Sequence, residues 1–381
     1  MRKLLVMVFL VLISLSSTVP TFAFPGDGRD ETCAQRIAAI VAATPEGETP
    51  QLPEDCLKDT GMTAIEMRAA EAEMTANPTP DVIQVPYNEE VVWTRAYRRM
   101  TGHVIIYDAP NGNVIGELDA GYNYVTVVSE QDGFIQINYG QWVAAEHITW
   151  ADVSEFSGVE IQSQPERPFA WMLAEARPSR YPGGPEDETK DVIARYSLMN
   201  IYGVEYDADG WEWYLVAPGE WVQQIRVAKV QPISRPEGVG PHDHWVAVDL
   251  YEQTIVAYEG DKMVFATLVS SGLPRWSTEL GLFQIYERHE AARMSGAAGQ
   301  ADFYFIEEVP YVMYFNGDMG LHGTYWHDRF GYRQSHGCIN LSIMDAWWIY
   351  DWTNAEEYND AWVYVYSSGE YRSDLPGWAH R

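Results

Sequence analysis

The sequence predicts a mainly β protein: two small β-barrels and a larger β domain with one helix, all behind a short helical N-terminal segment. Three observations predict it. From about Val82 the apolar residues come in short β-rich runs separated by frequent turn residues, as in small barrels. A loose repeat follows the same rhythm: Asp132-Gly133-Phe134 with Gly140-Gln141-Trp142-Val143, then Asp209-Gly210-Trp211 with Gly219-Glu220-Trp221-Val222. Beyond residue 244 the strand pattern is broken by helical spacing only at Ser342 to Trp352. A chain of 381 residues, 46% hydrophobic and 13% aromatic, is too long for one ordinary core and has material for several.

Residues 1–23 read as a secretory signal, with Arg2 and Lys3 before an apolar run from Leu4 to Leu15 and Thr21-Phe22-Ala23 as a cleavage site. An uncleaved anchor is the rival, although the run is short for a membrane span. Export to the cell envelope or beyond is the expectation. Residues 24–80 form the helical segment, with Ala-rich patterns at Cys33–Ala43 and Met62–Thr75 around a Pro-containing loop. In an oxidising compartment Cys33 and Cys56 are the natural disulfide pair, leaving Cys338 as the odd thiol. Asn77-Pro78-Thr79-Pro80 closes this segment.

The first barrel is expected over 81–160, with runs at Val104–Tyr107, Tyr124–Val128, Gly133–Asn138 and Gln141–Ala144. The second is expected over 165–232. Trp142, Trp213 and Trp221 are candidates to line a groove in these units, though tryptophans of small barrels usually serve the core. Residues 233–243 read as a Pro/Gly linker. The third domain, 244–370, has strand patterns at Trp245–Leu250, Thr254–Tyr258, Met263–Val269, Leu282–Tyr286, Phe303–Ile306, Val312–Phe315 and Trp362–Tyr366. The formal net charge of −30 argues against nucleic acid as a partner, because phosphate backbones are repelled.

Chemistry concentrates in Leu321–Asn340, where Cys338 is flanked by His336 and Gly337, and His322 lies sixteen positions upstream. A free thiol is only a few per cent thiolate at neutral pH and needs a base or cationic neighbours to act as a nucleophile. Either histidine supplies a base. Gly337 lets the backbone approach closely, so amides there can face a developing oxyanion. The ligand types His322, His327, His336 and Cys338 also raise a metal site, but the histidine spacing and the glycines between do not suit a helical zinc pair.

The segment resembles the catalytic signature of the L,D-transpeptidases, the YkuD-type domain, in its order His322, Ser335, His336, Gly337, Cys338 and Asn340. Val248-Asp249-Leu250 and the frame of Thr278, Gly281 and Phe283 fit the family's upstream pattern, while Glu279 stands where proline is usual. The resemblance spans approximately Trp245 to Tyr366 and implies a β-sandwich-like catalytic domain with one helix. The two barrels resemble, more weakly, the bacterial SH3-like domains that accompany cell-wall enzymes.

By that resemblance Cys338 attacks a peptidoglycan tetrapeptide stem, expels the terminal D-Ala and forms a thioester. His322 acts as base, oriented by the Gly323 carbonyl, and amides around Gly337 and Cys338 hold the oxyanion. His336, Ser335 and Asn340 then shape the loop, and Tyr314, Tyr325, Trp326 and His327 are candidate channel walls. Peptidoglycan stem peptides are the implied partners, carbapenem-type inhibitors are expected, and no cofactor is implied. An amine acceptor gives a 3-3 cross-link, water gives L,D-carboxypeptidase activity, and a protein amine gives attachment to the wall. A non-catalytic wall-binding protein is the reading from another class.

Overall fold

The computed structural model describes residues 64–296, 303–354 and 361–370, together with Ile40 and Ala43. The secretory signal, the helical pattern at Cys33–Ala43 and the Cys33–Cys56 pairing lie outside the described residues, apart from those two positions. The chain is mainly β with few helices. Ala64–Ala76 is the N-terminal helix, and Ile343–Thr353 is the helix of the C-terminal part. The latter starts at Ser342, whose hydroxyl accepts the Asp345 N–H at 3.1 Å, as an N-cap does. Among the described residues no helix is long and apolar enough to cross a membrane.

Two seven-stranded sheets dominate. In the first, the order is Val82–Gln84, Val159–Ile161, Lys262–Leu268, Thr254–Glu259, His244–Asp249, Trp362–Tyr366 and Gly281–Gln284. The second runs Ile339–Leu341, Met319–Gly323, Tyr304–Asn316, Tyr122–Thr126, Tyr97–Met100 and Ile148–Trp150, with Glu287–Gly296 paired onto Tyr304–Asn316. Strands from 82–161 therefore belong to both of the sheets that build the C-terminal part. A five-stranded sheet completes the first β unit, and two three-stranded sheets form the second, between 169 and 230.

The strand His244–Asp249 shows how the layers are held. All six residues are buried, and successive side chains point to opposite faces. Val246 and Val248 join the core that contains Val309, Val312, Leu321, Ile339 and Ile349. Trp245 and Ala247 pack instead with Phe169, Trp171 and Val230 of the second β unit. One continuous apolar run thus seals the sheet on both sides, as a doubly covered strand must.

Two features differ from the sequence expectation. The expected runs Phe303–Ile306, from Tyr304 on, and Val312–Phe315 are parts of one thirteen-residue strand, Tyr304–Asn316, which continues through Pro310. The ten-residue strand Glu287–Gly296 was not expected, because its sequence, ERHEAARMSG, lacks the alternation of a half-buried strand and none of its residues is buried. Trp213 and Trp221 are core residues of the second β unit. Among the described residues the most exposed aromatics are Tyr139, Trp150 and Tyr206.

Candidate active site

Cys338 is brought to its place by a short parallel pairing. Ile339–Leu341 lies beside Met319–Gly323 with Leu321 opposite Ile339 and His322 opposite Asn340. The cysteine, one residue before the strand Ile339–Leu341, is therefore delivered beside the strand that carries the histidine, at the edge of the sheet. Both line a cleft of about 1120 Å3, together with Trp276, Tyr304, Tyr314, Asp318, Trp326, His336 and other residues.

The loop that presents the thiol is tied down at each residue. Ser335 Oγ donates to the Cys338 carbonyl at 2.5 Å and accepts the Gly337 N–H at 3.1 Å. The Thr278 hydroxyl donates to the Gly337 carbonyl at 2.8 Å while accepting the Gly272 N–H at 3.1 Å. Ser270 and Asn340 exchange backbone hydrogen bonds of 2.9 Å, and the Leu273 N–H donates to the Ser335 carbonyl at 2.9 Å. Gly337 has a φ of +125°, a conformation that side-chain-bearing residues rarely adopt. The Gly337 amide is thus engaged within the loop.

His322 is 1% exposed, and its Nδ1 lies 3.1 Å from the Gly323 carbonyl. A carbonyl can only accept, so Nδ1 carries the proton and Nε2 is the basic nitrogen. Gly323 suits this contact for a steric reason as well: a Cβ there would sit 2.8 Å from Pro310 Cγ. Burial lowers the imidazole pKa to about 4. The Cys338 thiol, enclosed except on its cleft side, is pushed up to about 11, mainly by burial and slightly by Asp318. Its Sγ is 3.5 Å from the Asp318 carbonyl. Both groups are therefore neutral near pH 7.

His336, although adjacent to the cysteine, is exposed. Its ring lies against Trp276 at 3.8 Å and Tyr304 at 4.9 Å between centroids. His327 is buried, with Nδ1 accepting the Arg329 N–H at 3.2 Å and Nε2 2.9 Å from the Asn340 side-chain amide. It supports the loop from behind, and burial lowers its pKa to about 3. Among the described residues no group of three or more His, Cys, Asp or Glu side chains is placed to hold a metal ion.

Tyr314 and Trp326 line the cleft. Tyr325 does not: it is fully buried, donates to the Glu307 carbonyl at 2.6 Å and stacks on Tyr97 at 4.1 Å. Its expected place on a channel wall is corrected by packing: beyond the end of Met319–Gly323 the chain bends and the ring turns into the core. Sequence reasoning missed Trp276, Tyr304, Asp318, Gly121 and Tyr122 as cleft residues. The first three lie on segments with strand or turn signals but no chemical motif. The last two come from the first β unit, and nothing local signals their pairing with Tyr304.

The family model of YkuD, the L,D-transpeptidase catalytic domain, matches residues 243–365. YciB of Bacillus subtilis (strain 168), named as a candidate L,D-transpeptidase, is 28% identical over 120 residues, covering 28% of this chain and 59% of that protein. A cysteine-to-serine variant of the Enterococcus faecium L,D-transpeptidase is 27% identical, covering 32% of this chain and 50% of that one, with a TM-score of 0.29. The E. faecium catalytic domain acylated by ertapenem is 26% identical, covering 34% of this chain and 100% of that one, again with a TM-score of 0.29. This chain thus spans less than two thirds of the curated relative. Residues 243–365 are similar to the YkuD-type catalytic domain.

Proposed function

We propose that the YkuD-type domain is an L,D-transpeptidase of peptidoglycan in which Cys338 is the nucleophile and His322 the general base. The observation that carries this reading is the pairing of Met319–Gly323 with Ile339–Leu341, which sets both side chains on one cleft. The Nδ1 contact to the Gly323 carbonyl directs the basic Nε2 of His322 to this work. His336 is the poorer base candidate, since its ring is held against Trp276 and Tyr304.

The donor is a tetrapeptide stem. Sγ attacks the carbonyl of the residue before the terminal D-Ala as His322 Nε2 takes the thiol proton, so neither group needs to ionise beforehand. The oxyanion of the tetrahedral intermediate is met by the Cys338 N–H; the Gly337 N–H already serves Ser335. Collapse breaks the C–N bond, and the imidazolium returns its proton to the departing D-Ala amine. The thioester is then taken by the side-chain amine of a neighbouring stem to give a 3-3 cross-link. Water or a protein amine at the same step gives trimming or wall attachment. The proposal includes export to the cell envelope, supported by the basic and apolar pattern of residues 1–23.

Intact-mass analysis after incubation with a carbapenem tests the nucleophile, and muropeptide analysis after reaction with tetrapeptide-rich sacculi tests the product. The expected results are one adduct on Cys338, absent in Cys338→Ala, and 3-3-linked dimers. An unmodified protein and unchanged muropeptides would leave a non-catalytic wall-binding role in its place.

A further inference from the structure

We propose that Tyr122, carried by the first β unit, lines the acceptor side of the cleft and favours an amine on an aliphatic chain over water as the group that resolves the acyl-enzyme; this rests on the acyl-transfer reading above. Gly121 and Tyr122 are the described cleft-lining residues that come from outside 243–365. They are placed there by backbone pairing. Tyr122, Asn123 and Tyr124 run parallel to Tyr304, Phe305 and Ile306 in one continuous sheet, and Tyr304 itself lines the cleft and touches His336.

A second set of contacts fixes the side chain. The hydroxyls of Tyr122 and Tyr124 both donate to the Trp326 carbonyl, at 3.4 Å and 3.3 Å. Tyr124 is buried by this packing, whereas Tyr122 keeps 40% of its surface exposed. Tyr122 is therefore anchored at its hydroxyl and open along its ring. Trp326 in turn lies 5.7 Å from His322 and 6.4 Å from Tyr124 between ring centroids, and Tyr124 lies 5.1 Å from Tyr122, so a wall of aromatic rings runs from Tyr122 through Trp326 to the base.

Chemistry assigns that wall to the acceptor. In the second half-reaction the amine nitrogen bonds to the thioester carbonyl carbon, the C–S bond breaks and Cys338 leaves as thiolate. The proton lost by the nitrogen passes to His322 and from there to Sγ. The incoming nitrogen must come within hydrogen-bond reach of His322 Nε2, and the Tyr122–Trp326 wall flanks that approach. An aliphatic chain bearing the amine gains apolar contact with the rings, which water cannot. The wall thereby raises the residence of the amine at the thioester relative to its hydrolysis.

The full chain is supplied with a stem tetrapeptide that acts as both donor and acceptor. Dimer and tripeptide products are quantified by mass spectrometry, and the rate of carbapenem acylation of Cys338 is measured in parallel. Tyr122→Ala is expected to lower the dimer-to-tripeptide ratio at least tenfold while acylation slows less than threefold. Tyr122→Phe, which keeps the ring and loses only its hydroxyl tie to the Trp326 carbonyl, is expected to keep a ratio at least threefold above that of the alanine variant. Tyr139→Ala, altering a side chain 95% exposed, serves as the surface control. Tyr122→Leu replaces the alanine variant if that one lowers Tm, and is expected to retain an intermediate ratio.

An unchanged ratio in Tyr122→Ala, a loss of ratio matched by an equal loss of acylation, or a phenylalanine variant as impaired as the alanine one would overturn the proposal. Wild-type protein that is acylated but releases only tripeptide would also overturn it, leaving the cysteine chemistry intact. A wild-type protein that is never acylated fails at the preceding reading instead.

Discussion

Burial at the cleft keeps both reacting side chains uncharged, and this decides how the proposed acylation responds to pH. The thiol is raised to about 11 and the imidazole lowered to about 4, so a resting thiolate–imidazolium pair is disfavoured from both partners. The reactive form is neutral His322 beside a protonated thiol. It is lost as pH falls through about 4, where the base becomes charged. Carbapenem acylation is therefore expected to stay flat, within about threefold, from pH 5.5 to 8, with its acid limb near the His322 value. A limb well above that value would show instead that another base or a preformed ion pair does the work. Cys338 and His322 were legible because they sit close in sequence and because an odd cysteine would be unusual in the exported chain that residues 1–23 predict. Which histidine is the better base was not legible from position alone. It follows from the Gly323 carbonyl beside one ring and the Trp276 and Tyr304 rings beside the other.

The loop at 335–338 is the element on which the proposed chemistry depends, and its shape is held by hydrogen bonds and one unusual dihedral. A Cβ on Gly337 would meet no atom closer than 3.7 Å, so Gly337→Ala is not blocked by packing. Its cost is the positive φ, roughly 1–3 kcal/mol for a residue with a side chain, which the loop can relieve by turning the Cys338 amide and thiol away. Acylation is expected to fall at least tenfold while Tm shifts by only a few degrees; unchanged acylation would show that the φ is not needed. Thr278 acts from the neighbouring turn, joining the Gly272 amide to the Gly337 carbonyl. Thr278→Val leaves both without that hydroxyl and is expected to cost about 1–3 kcal/mol of stability and to slow acylation, with Thr278→Ser restoring both. A valine variant equal to wild type in urea unfolding and acylation would argue against this clasp. The turn frame of Thr278, Gly281 and Phe283 was readable in the sequence, and Glu279 at the usual proline position is tied by the Asn316 side chain at 2.9 Å. The strand Glu287–Gly296 was not readable, because a strand with no buried residue needs no apolar alternation.

At the scale of the whole molecule, the C-terminal domain borrows sheet edges and core from the residues before it. The strand Tyr304–Asn316 is flanked by Tyr122–Thr126, and Lys262–Leu268 is continued by Val159–Ile161 and Val82–Gln84. Trp245, Ala247, Val256 and Tyr258 form their core with Phe169, Trp171 and Val230. Further ties are polar: Asp345, at the start of the C-terminal helix, accepts the Gly158 N–H at 2.7 Å and the Thr267 hydroxyl at 2.6 Å. Little of this is legible locally, since these contacts reach across as many as 187 residues of sequence. Short barrel-like strands in sequence look self-contained whether or not their edges are shared. Cutting the chain at residue 243 leaves two sheets with unpaired edges, which template aggregation, and exposes an apolar face where two large aromatics were buried. The isolated segment 244–381 is therefore expected to be recovered mainly as aggregate, while residues 64–381 unfold in a single cooperative thermal transition. A soluble fragment that unfolds cooperatively near the Tm of the longer chain and is acylated at the same rate would show that the shared sheets are dispensable. An early transition in residues 64–381 that leaves acylation intact would show the same, because the borrowed strands would then melt without disturbing the cleft.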